Sequence, residues 1–328
     1  MTLLVVTIVV ALAFDFTNGF HDTANAVATT VSTRALSPRL AVVVAAIANL
    51  GGAFATTAVA STVGKGIIDS GLANPRTVLA AVLGAIVWNL LTWWLGLPSS
   101  SSHALIGGLV GAALAQSGEK GVEWHGLVHK VVIPAIWAPT IAFAAAFLLL
   151  LAIYWLFQRL TPGVANRSFR LGQLASGTWV AFTHGANDAQ KTMGVIALAL
   201  YTHGSISSFY IPTWVKIAAA LAIGAGTYAG GWRIMRTVGQ RVFKIDPPAG
   251  FAAQASAGMV IWASTKYGYP LSTTHVVSGA VMGAGATRRL SAVRWGVAGD
   301  ILVAWLLTIP AAALVAAALW FPVHAVFA

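Results

Sequence analysis

The chain has 328 residues, of which 58% are hydrophobic and only 8% are charged, and its mean hydropathy is +0.81. Soluble domains carry about 25% charged residues, so this composition excludes an ordinary soluble protein. Long apolar runs predict an all-α integral membrane protein rather than a barrel. The absence of cysteine excludes disulfide bonds and thiolate metal sites.

The net charge of +11 does not indicate a nucleic-acid partner. The basic residues lie in short loops between apolar runs, which is the pattern that membrane topology produces. Lipid is therefore the expected environment. The apolar stretch 2–13 has no basic region before it and no clear cleavage site, so we expect it to begin the first membrane segment rather than a signal peptide.

Apolar runs and polar links alternate along the chain and predict about 10–12 membrane segments. The first and the sixth run carry aspartate, glycine and amide residues at their centres, which predicts broken or re-entrant helices. In chain order the predicted runs are 2–32, 40–62, 77–96, 98–115, 131–157, 172–202, 214–231, 249–267, a glycine-rich helix that opens at 270, and 296–324.

One stretch between these runs is basic and is not a simple loop. Residues 232–248 carry Arg233, Arg236, Arg241 and Lys244 among apolar residues. This pattern predicts an amphipathic helix at the membrane surface.

Two motifs occur twice. Segment 16–25 reads FTNGFHDTAN and segment 182–191 reads FTHGANDAQK, with their aspartates 166 positions apart. Segment 98–103 reads PSSSSH and segment 270–275 reads PLSTTH, 172 positions apart. Because motif order and spacing are preserved, we interpret the chain as a duplicated ancestral half.

The duplication predicts residues 1–157 as the first repeat, 158–171 as a basic cytoplasmic linker and 172–328 as the second repeat. Each half holds five apolar segments, and an odd number inverts the second half relative to the first. With both termini outside the cytoplasmic membrane, the loops predicted to face the cytoplasm hold twelve Lys and Arg residues and the outer loops hold five. This bias fits the positive-inside rule.

The hydroxyl motifs each precede a helix. Free N–H groups at a helix start carry partial positive charge and bind anions, and hydroxyl groups add donors without adding charge. Two such helix starts predict a site for a tetrahedral oxyanion. The alternative is that these residues are only N-caps. The candidate residues are Ser100, Ser101, Ser102, Ser272, Thr273 and Thr274.

Asp22 and Asp188 lie inside apolar runs. A carboxylate at that depth costs several kcal/mol unless it has a partner, so it indicates a functional site. An oxyanion beside two carboxylates needs a cation, either a proton or Na⁺. Asn25 and Asn187 supply further oxygen ligands for Na⁺, and Lys191 is a candidate counter-ion to Asp188 or to the anion. The alternative is that each aspartate caps a helix or pairs with a neighbouring cation.

Four histidines lie next to these motifs, and they either relay protons or donate hydrogen bonds that fix helix packing. Asn49 and Gln254 lie within apolar runs and are candidate supports of the site. The four histidines are His21, His103, His184 and His275.

Segments 19–29 (GFHDTANAVAT) and 185–194 (GANDAQKTMG) resemble the paired signatures of the inorganic phosphate transporter (PiT) family, and the hydroxyl motifs resemble that family's second pair. The resemblance implies an inverted-repeat fold, a possible homodimer, and import of phosphate, free or as a metal complex. It also implies that the substrate site holds Asp22, Asn25, Asn187, Asp188 and Lys191. His21 stands where the second motif has asparagine, so the two halves need not hold the cation alike.

No organic cofactor and no catalytic residue are expected, and the coupling ion is H⁺ or Na⁺. We favour H⁺ because histidines crowd the motifs and because the short linker resembles that of bacterial members. A sulfate permease on the same scaffold is the nearest alternative. An intramembrane hydrolase is remote, since no Gly-x-Ser-x-Gly elbow is present and every candidate residue comes in duplicate. A channel would not need paired carboxylates for ion coupling.

Overall fold

The computed structural model describes residues 1–231, 234–235, 237–242 and 244–327. This part of the chain is helical, with a π-helical turn at Val128–Val132 inside α6. The helices are α1 (Thr2–Ser32), α2 (Pro38–Gly52), α3 (Ala58–Lys65), α4 (Pro75–Leu95), α5 (Ser101–Ser117), α6 (Trp124–Leu156), α7 (Pro162–Thr202), α8 (Thr213–Ala229), α9 (Pro247–Lys266), α10 (Thr273–Arg288) and α11 (Trp295–Val326).

Four of these helices, α1, α4, α6 and α11, are long and apolar enough to cross a membrane. Large apolar side chains on the outer faces of α6 and α11 are exposed, among them Trp137, Leu148, Leu306 and Leu314. An exposed apolar surface of this kind fits lipid rather than water. The all-helical prediction is confirmed.

The predicted interruptions at the two aspartate motifs are wrong. α1 and α7 run without a break through Asp22 and Asp188. The motif side chains find partners on neighbouring elements, so the backbone keeps its own hydrogen bonds. Thr23, for example, donates to Gly19 O within α1 at 2.7 Å and lies 3.1 Å from Thr227 O of α8.

Two other segment predictions are also corrected. The run 40–62 is not one span, because α2 ends at Gly52 and α3 begins at Ala58. Gln190 Oε1 accepts hydrogen bonds from Val59 N at 2.8 Å and from Ala60 N at 3.2 Å, so a distant side chain satisfies the start of α3. The stretch 158–171 is helical from Pro162 and forms the first turns of α7 rather than a linker.

The basic stretch 232–248 is described only in part, and Arg233 and Arg236 lie outside the described residues. The described part contains a π-helical turn at Thr237–Arg241, and its residues Ile234 and Val238 are buried. The predicted amphipathic surface helix includes residues outside the described ones, so it stays a prediction.

Two helical hairpins, α4–α5 and α9–α10, carry the hydroxyl motifs at their tips. Gly96 and Gly268, which are 172 positions apart, adopt φ values of 69° and 73° after the first helix of each hairpin. Left-handed glycines of this kind end helices. The two tips meet, because the rings of His103 and His275 lie 4.7 Å apart between their centroids.

In each hairpin a contact joins the end of the second helix to the residues at or just before the start of the first helix. In the first hairpin, Gln116 Nε2 donates to Leu72 O at 2.5 Å. In the second, Arg288 forms an ion pair with Asp246. Each hairpin therefore starts and ends on one side of the protein and reaches inward with its tip.

Glycines bring each hairpin into backbone contact with a helix of the other half. A Cβ at Gly111 of α5 would lie 2.0 Å from Ala313 O of α11, and a Cβ at Gly283 of α10 would lie 2.1 Å from Phe143 O of α6. These glycines are 172 positions apart and their partners 170. The packing is therefore exchanged between the halves in a matched way, as close helix packing through small residues allows.

We expect Gly111→Ala and Gly283→Ala to destabilise the protein, because the new methyl group would collide with a backbone carbonyl. Overpacking of this kind costs about 1–3 kcal/mol. Unfolding of the purified protein in detergent measures the effect. Gly51→Ala is the control, since nothing lies within 4 Å of a Cβ there. Equal stability of all three variants would contradict the close packing.

Candidate functional site

The site forms where α1 and α7 cross the hairpin tips. The two helices run antiparallel, because Asp22 lies near His184 while Thr33, further along α1, hydrogen-bonds to Gln173, which precedes His184 on α7. The motif aspartates of the two halves therefore come together. The polar side chains of the motifs are buried, so this conformation is closed around the site.

Asp22 accepts hydrogen bonds from both hairpins. His21 Nδ1 lies 2.6 Å from Asp22 Oδ1, and Ser101 Oγ of the first tip lies 2.9 Å from Asp22 Oδ2. The hydroxyl groups of Thr273 and Thr274 of the second tip lie 3.4 Å from the two oxygens. The carboxylate is thus the junction between α1 and both hydroxyl motifs.

Asp188 is paired with Lys191, whose Nζ lies 2.6 Å from Asp188 Oδ1. The same ammonium group donates to Ser102 Oγ and, at 2.9 Å, to Leu271 O. Lys191 therefore places a positive charge between the two hairpin tips. Asp188 Oδ2 has no hydrogen-bond partner among the described residues.

His184 joins the two aspartates. Its Nδ1 lies 2.6 Å from Asn49 Oδ1, which accepts a hydrogen bond and fixes the Nδ1–H tautomer. Its Nε2 faces Asp22 Oδ2 at 3.9 Å and Asp188 Oδ2 at 3.5 Å. Ligand atoms of these three residues lie within 4.8 Å of one another. If the imidazole is neutral, the Nε2 lone pair points at two carboxylates, and these groups repel one another. A cation or a proton between them would remove this repulsion.

The two asparagines are placed alike. Asn25 Nδ2 donates to Thr274 Oγ1 at 2.9 Å, and Asn187 Nδ2 donates to Thr265 Oγ1 at 2.9 Å and to Tyr269 O at 3.1 Å. The Oδ1 atom of each has no partner among the described residues. Buried amide oxygens left over in this way are ligands of the type that hard cations prefer.

The side chains of the hydroxyl motifs have two different roles: some cap a helix, and others face the aspartates and Lys191. Ser100 Oγ accepts from His103 N at 3.1 Å and Ser272 Oγ accepts from His275 N at 3.2 Å, so the N-cap alternative describes these two side chains. The other hydroxyls turn toward the aspartates and Lys191. They belong to Ser101, Ser102, Thr273 and Thr274.

The four candidate histidines fall into two pairs. His21 and His184 contact the aspartates as described. His275 stacks on Trp305 with ring centroids 3.9 Å apart, and neither of its ring nitrogens has a partner among the described residues. His103 and His275 border an apolar cavity of about 540 Å³ between α6, α10 and α11. In this conformation His275 therefore makes no hydrogen-bonded relay to the aspartates.

Two residues of the site, Asn18 and Thr92, were not predicted from the sequence, and Ser99 of the hydroxyl motif also takes part in it. Asn18 Oδ1 lies 2.7 Å from Ser101 Oγ, while Thr92 Oγ1 and Ser99 Oγ lie 3.2 Å and 3.4 Å from His21 Nε2. Asn18 precedes Asp22 by one helical turn, and this spacing is a signal that could have identified it. Thr92 lies in an apolar run and becomes part of the site only through helix packing.

Of the two candidate supports, only Asn49 reaches the site. Gln254 instead bridges helices elsewhere. Its Nε2 donates to Thr30 Oγ1 at 2.6 Å, and its Oε1 accepts from Ser176 Oγ at 3.0 Å.

The site therefore combines the donors that bind an oxyanion with carboxylates that repel one. Helix starts, hydroxyls and one ammonium group lie on the hairpin side. Two carboxylates and two amide oxygens lie on the side of α1 and α7. This arrangement can hold an anion only together with positive charge.

Comparison with known proteins gives one consistent result. Residues 18–316 match the model of the "Phosphate transporter family". A protein of Mycobacterium bovis described as "Probable low-affinity inorganic phosphate transporter" is 52% identical over 98% of this chain and 78% of its own length. A protein of Rhizobium meliloti with the same description is 50% identical over 97% of this chain and 96% of its own.

A solved structure described as "The sodium-dependent phosphate transporter" superposes with a TM-score of 0.87 over 99% of both chains. Its sequence is 24% identical, so this likeness shows the fold.

The buried Lys191–Asp188 pair predicts a measurable coupling. Lys191→Met should lower the free energy of unfolding by about 3–5 kcal/mol, because it leaves a buried carboxylate unpaired. Adding Asp188→Asn should restore part of this loss, since the amide carries no charge. Denaturation of the purified single and double variants measures both effects, with Lys216→Met as the control for loss of a lysine. Additive losses in the double variant would contradict the pairing.

Proposed function

The chain belongs to the phosphate transporter family, and we propose that it imports inorganic phosphate across the cytoplasmic membrane as a cation-coupled symporter. It is a multi-pass membrane protein and not an enzyme. Phosphate would bind where the hairpin tips meet α1 and α7. The named relatives are described as inorganic phosphate transporters, which supports the substrate.

One observation carries the proposal: two hydroxyl-bearing helix starts and Lys191 face the two aspartates in a buried site. The N–H groups and hydroxyls can donate to phosphate oxygens. A phosphate that keeps a proton can also donate to a carboxylate, which sulfate cannot do at neutral pH. Buried carboxylates next to the donors thus favour phosphate over sulfate.

The coupling ion follows from the charges. Phosphate adds negative charge beside Asp22 and Asp188, and Lys191 neutralises only part of it. A cation that binds with phosphate removes the repulsion, and this mutual dependence is symport. H⁺ and Na⁺ both fit the space between His184 and the aspartates. Na⁺ is supported by the solved relative, which is described as sodium-dependent; H⁺, which we favour, is supported by the imidazole groups in contact with the aspartates.

We also propose that the chain is built from two inverted repeats. The hairpins with matched tips and exchanged packing support two inverted repeats, 1–157 and 172–328. In transporters of this kind, movement of one repeat or bundle against the other opens the central site to either side in turn. The homodimer and the metal–phosphate substrate that the family resemblance implies remain predictions.

Reconstitution in liposomes tests the proposal. Labelled phosphate uptake should follow an imposed pH gradient, should resist excess unlabelled sulfate, and should fall by at least about tenfold in Asp22→Asn and Asp188→Asn, since each loses a buried charge that holds the cation. The Arg76→Gln variant, at the start of α4, is the control for a charge lost far from the site.

Each other outcome changes a different part of the proposal. Uptake driven only by a Na⁺ gradient would assign Na⁺ to the site, and strong competition by sulfate would indicate the sulfate permease. Uptake that ignores both gradients, with active asparagine variants, would contradict coupled transport.

The orientation is tested with single cysteines, because the chain has none of its own. Ser168→Cys lies in the stretch predicted to face the cytoplasm, and Ser207→Cys lies in a predicted outer loop; both positions are exposed. An impermeant maleimide applied to intact cells should label only Ser207→Cys. Labelling of Ser168→Cys alone would reverse the predicted topology.

A further inference from the structure

Asp15 is a buried carboxyl group that the phosphate site does not use. It lies on α1 two turns before Asp22, and its side chain is fully buried. Neither of its oxygens has a hydrogen-bond partner among the described residues. An ionised carboxylate in that setting is costly, so an unpartnered Asp15 indicates that something is bound there in at least one state of the protein.

Two polar neighbours of Asp15 each carry an atom that also lacks a well-formed hydrogen bond. Thr192 of α7 and Asn18 of α1 lie beside Asp15 and interact with it, with Asp188 and Lys191 within electrostatic reach. The Thr192 hydroxyl oxygen and the Asn18 amide nitrogen are nevertheless left without well-formed hydrogen bonds. Asp15, Thr192 and Asn18 thus form a buried cluster in which each side chain has at least one polar atom without a hydrogen-bond partner.

Asp15 is connected to the phosphate site. Asp15, Asn18, Asp22 and Asn25 are spaced by three, four and three positions and so lie along one face of α1. Asn18 Oδ1 lies 2.7 Å from Ser101 Oγ, which in turn lies 2.9 Å from Asp22 Oδ2. A polar path therefore leads from the phosphate site to Asp15.

Asp15 also breaks the repeat. Asp22 has Asp188 as its equivalent 166 positions later, but at the same spacing Asp15 meets Ala181. The duplicated residues can serve a substrate at the symmetry axis. Asp15 is therefore a carboxyl group that the second half does not repeat.

We propose that Asp15 is a second cation site of the transporter, and that the cation is a proton that binds when phosphate binds. This inference rests on the proposed function. A protonated Asp15 can donate to Thr192 Oγ1, and one such acceptor is sufficient. A hard metal cation needs several oxygen ligands, whereas the unpartnered oxygens found here are the two of Asp15 and that of Thr192.

The charges around Asp15 explain why proton binding at Asp15 would favour phosphate binding. When Asp15 is ionised, three buried carboxylates share the one ammonium group of Lys191, and phosphate adds further negative charge. Protonation of Asp15 removes one charge, so phosphate and proton favour each other's binding. The other charged or titratable groups on the elements around it include Asp22 and His21 on α1, Asp188 and His184 on α7, Arg76 on α4, Lys216 and Tyr228 on α8, and His103 and His275 on the hairpins. Arg39 on α2, Arg167, Arg170 and Tyr201 on α7, and Arg288 on α10 lie on the same elements.

The test separates exchange from coupled uptake. With the membrane potential clamped, each coupled proton adds about a factor of ten to phosphate accumulation per pH unit of gradient. Asp15→Asn should therefore accumulate about tenfold less phosphate than the wild type per pH unit, while phosphate–phosphate exchange stays within about twofold. Asp15→Glu should retain accumulation.

A binding measurement gives an independent readout. Calorimetric titration with inorganic phosphate, in two buffers of different ionisation enthalpy, counts the protons taken up on binding. The count should fall by about one in Asp15→Asn. Thr192→Val removes a hydroxyl that stabilises the ionised carboxyl group of Asp15 more than the protonated one, so half-maximal uptake should move to higher pH.

Full accumulation by Asp15→Asn, an unchanged proton count, or an unchanged pH profile in Thr192→Val would overturn the inference. Loss of exchange in Asp15→Asn with recovery in Asp15→Glu would also overturn it, because Asp15 would then belong to the phosphate site. Loss of Na⁺ stimulation instead of H⁺ coupling would assign Asp15 to a metal ion and overturn the proton. A wild-type protein that takes up no phosphate would instead remove the proposed function itself.

Discussion

The charge balance between Asp22, Asp188, His184 and Lys191 is the constraint on which the rest of this structure depends. All four side chains are buried, and one ammonium group faces two carboxylates that approach His184 Nε2 at 3.9 Å and 3.5 Å. Such a cluster is costly in a membrane unless its charges are paired. The imbalance that makes it costly also makes it sensitive to cations and anions together, which is what a symporter requires.

The fold brings this cluster and the hydroxyls around it together from four separate places in the chain. α1 and α7 supply the aspartates, and each of the two hairpins supplies hydroxyls that contact the Asp22 carboxylate. Glycines allow the hairpins to touch neighbouring backbone, as at Gly111 and Gly283. Because each hairpin packs on a helix of the other half, a movement of one half would displace the donors relative to the carboxylates. The movement and the coupled binding that we propose would thus depend on the same contacts.

Much of this arrangement was predictable from motif composition and spacing, and the errors have physical causes. Polar residues in an apolar run predicted broken helices, but hydroxyls such as Thr23 bond within the helix and leave it intact. The real break between α2 and α3 depends on Gln190, whose contact with Val59 is 131 positions distant in sequence. Thr92 and the cap role of Ser100 depend likewise on tertiary geometry, which spacing alone does not contain.

The central claim is that phosphate binds only together with a cation, and the phosphate dissociation constant of the purified protein tests it most directly. It should be measured by calorimetry across pH, with and without Na⁺, at constant ionic strength. The account predicts that affinity rises by at least about tenfold as either protons or Na⁺ are supplied, since positive charge relieves the repulsion at Asp22 and Asp188. An affinity that stays constant across both series would contradict the account.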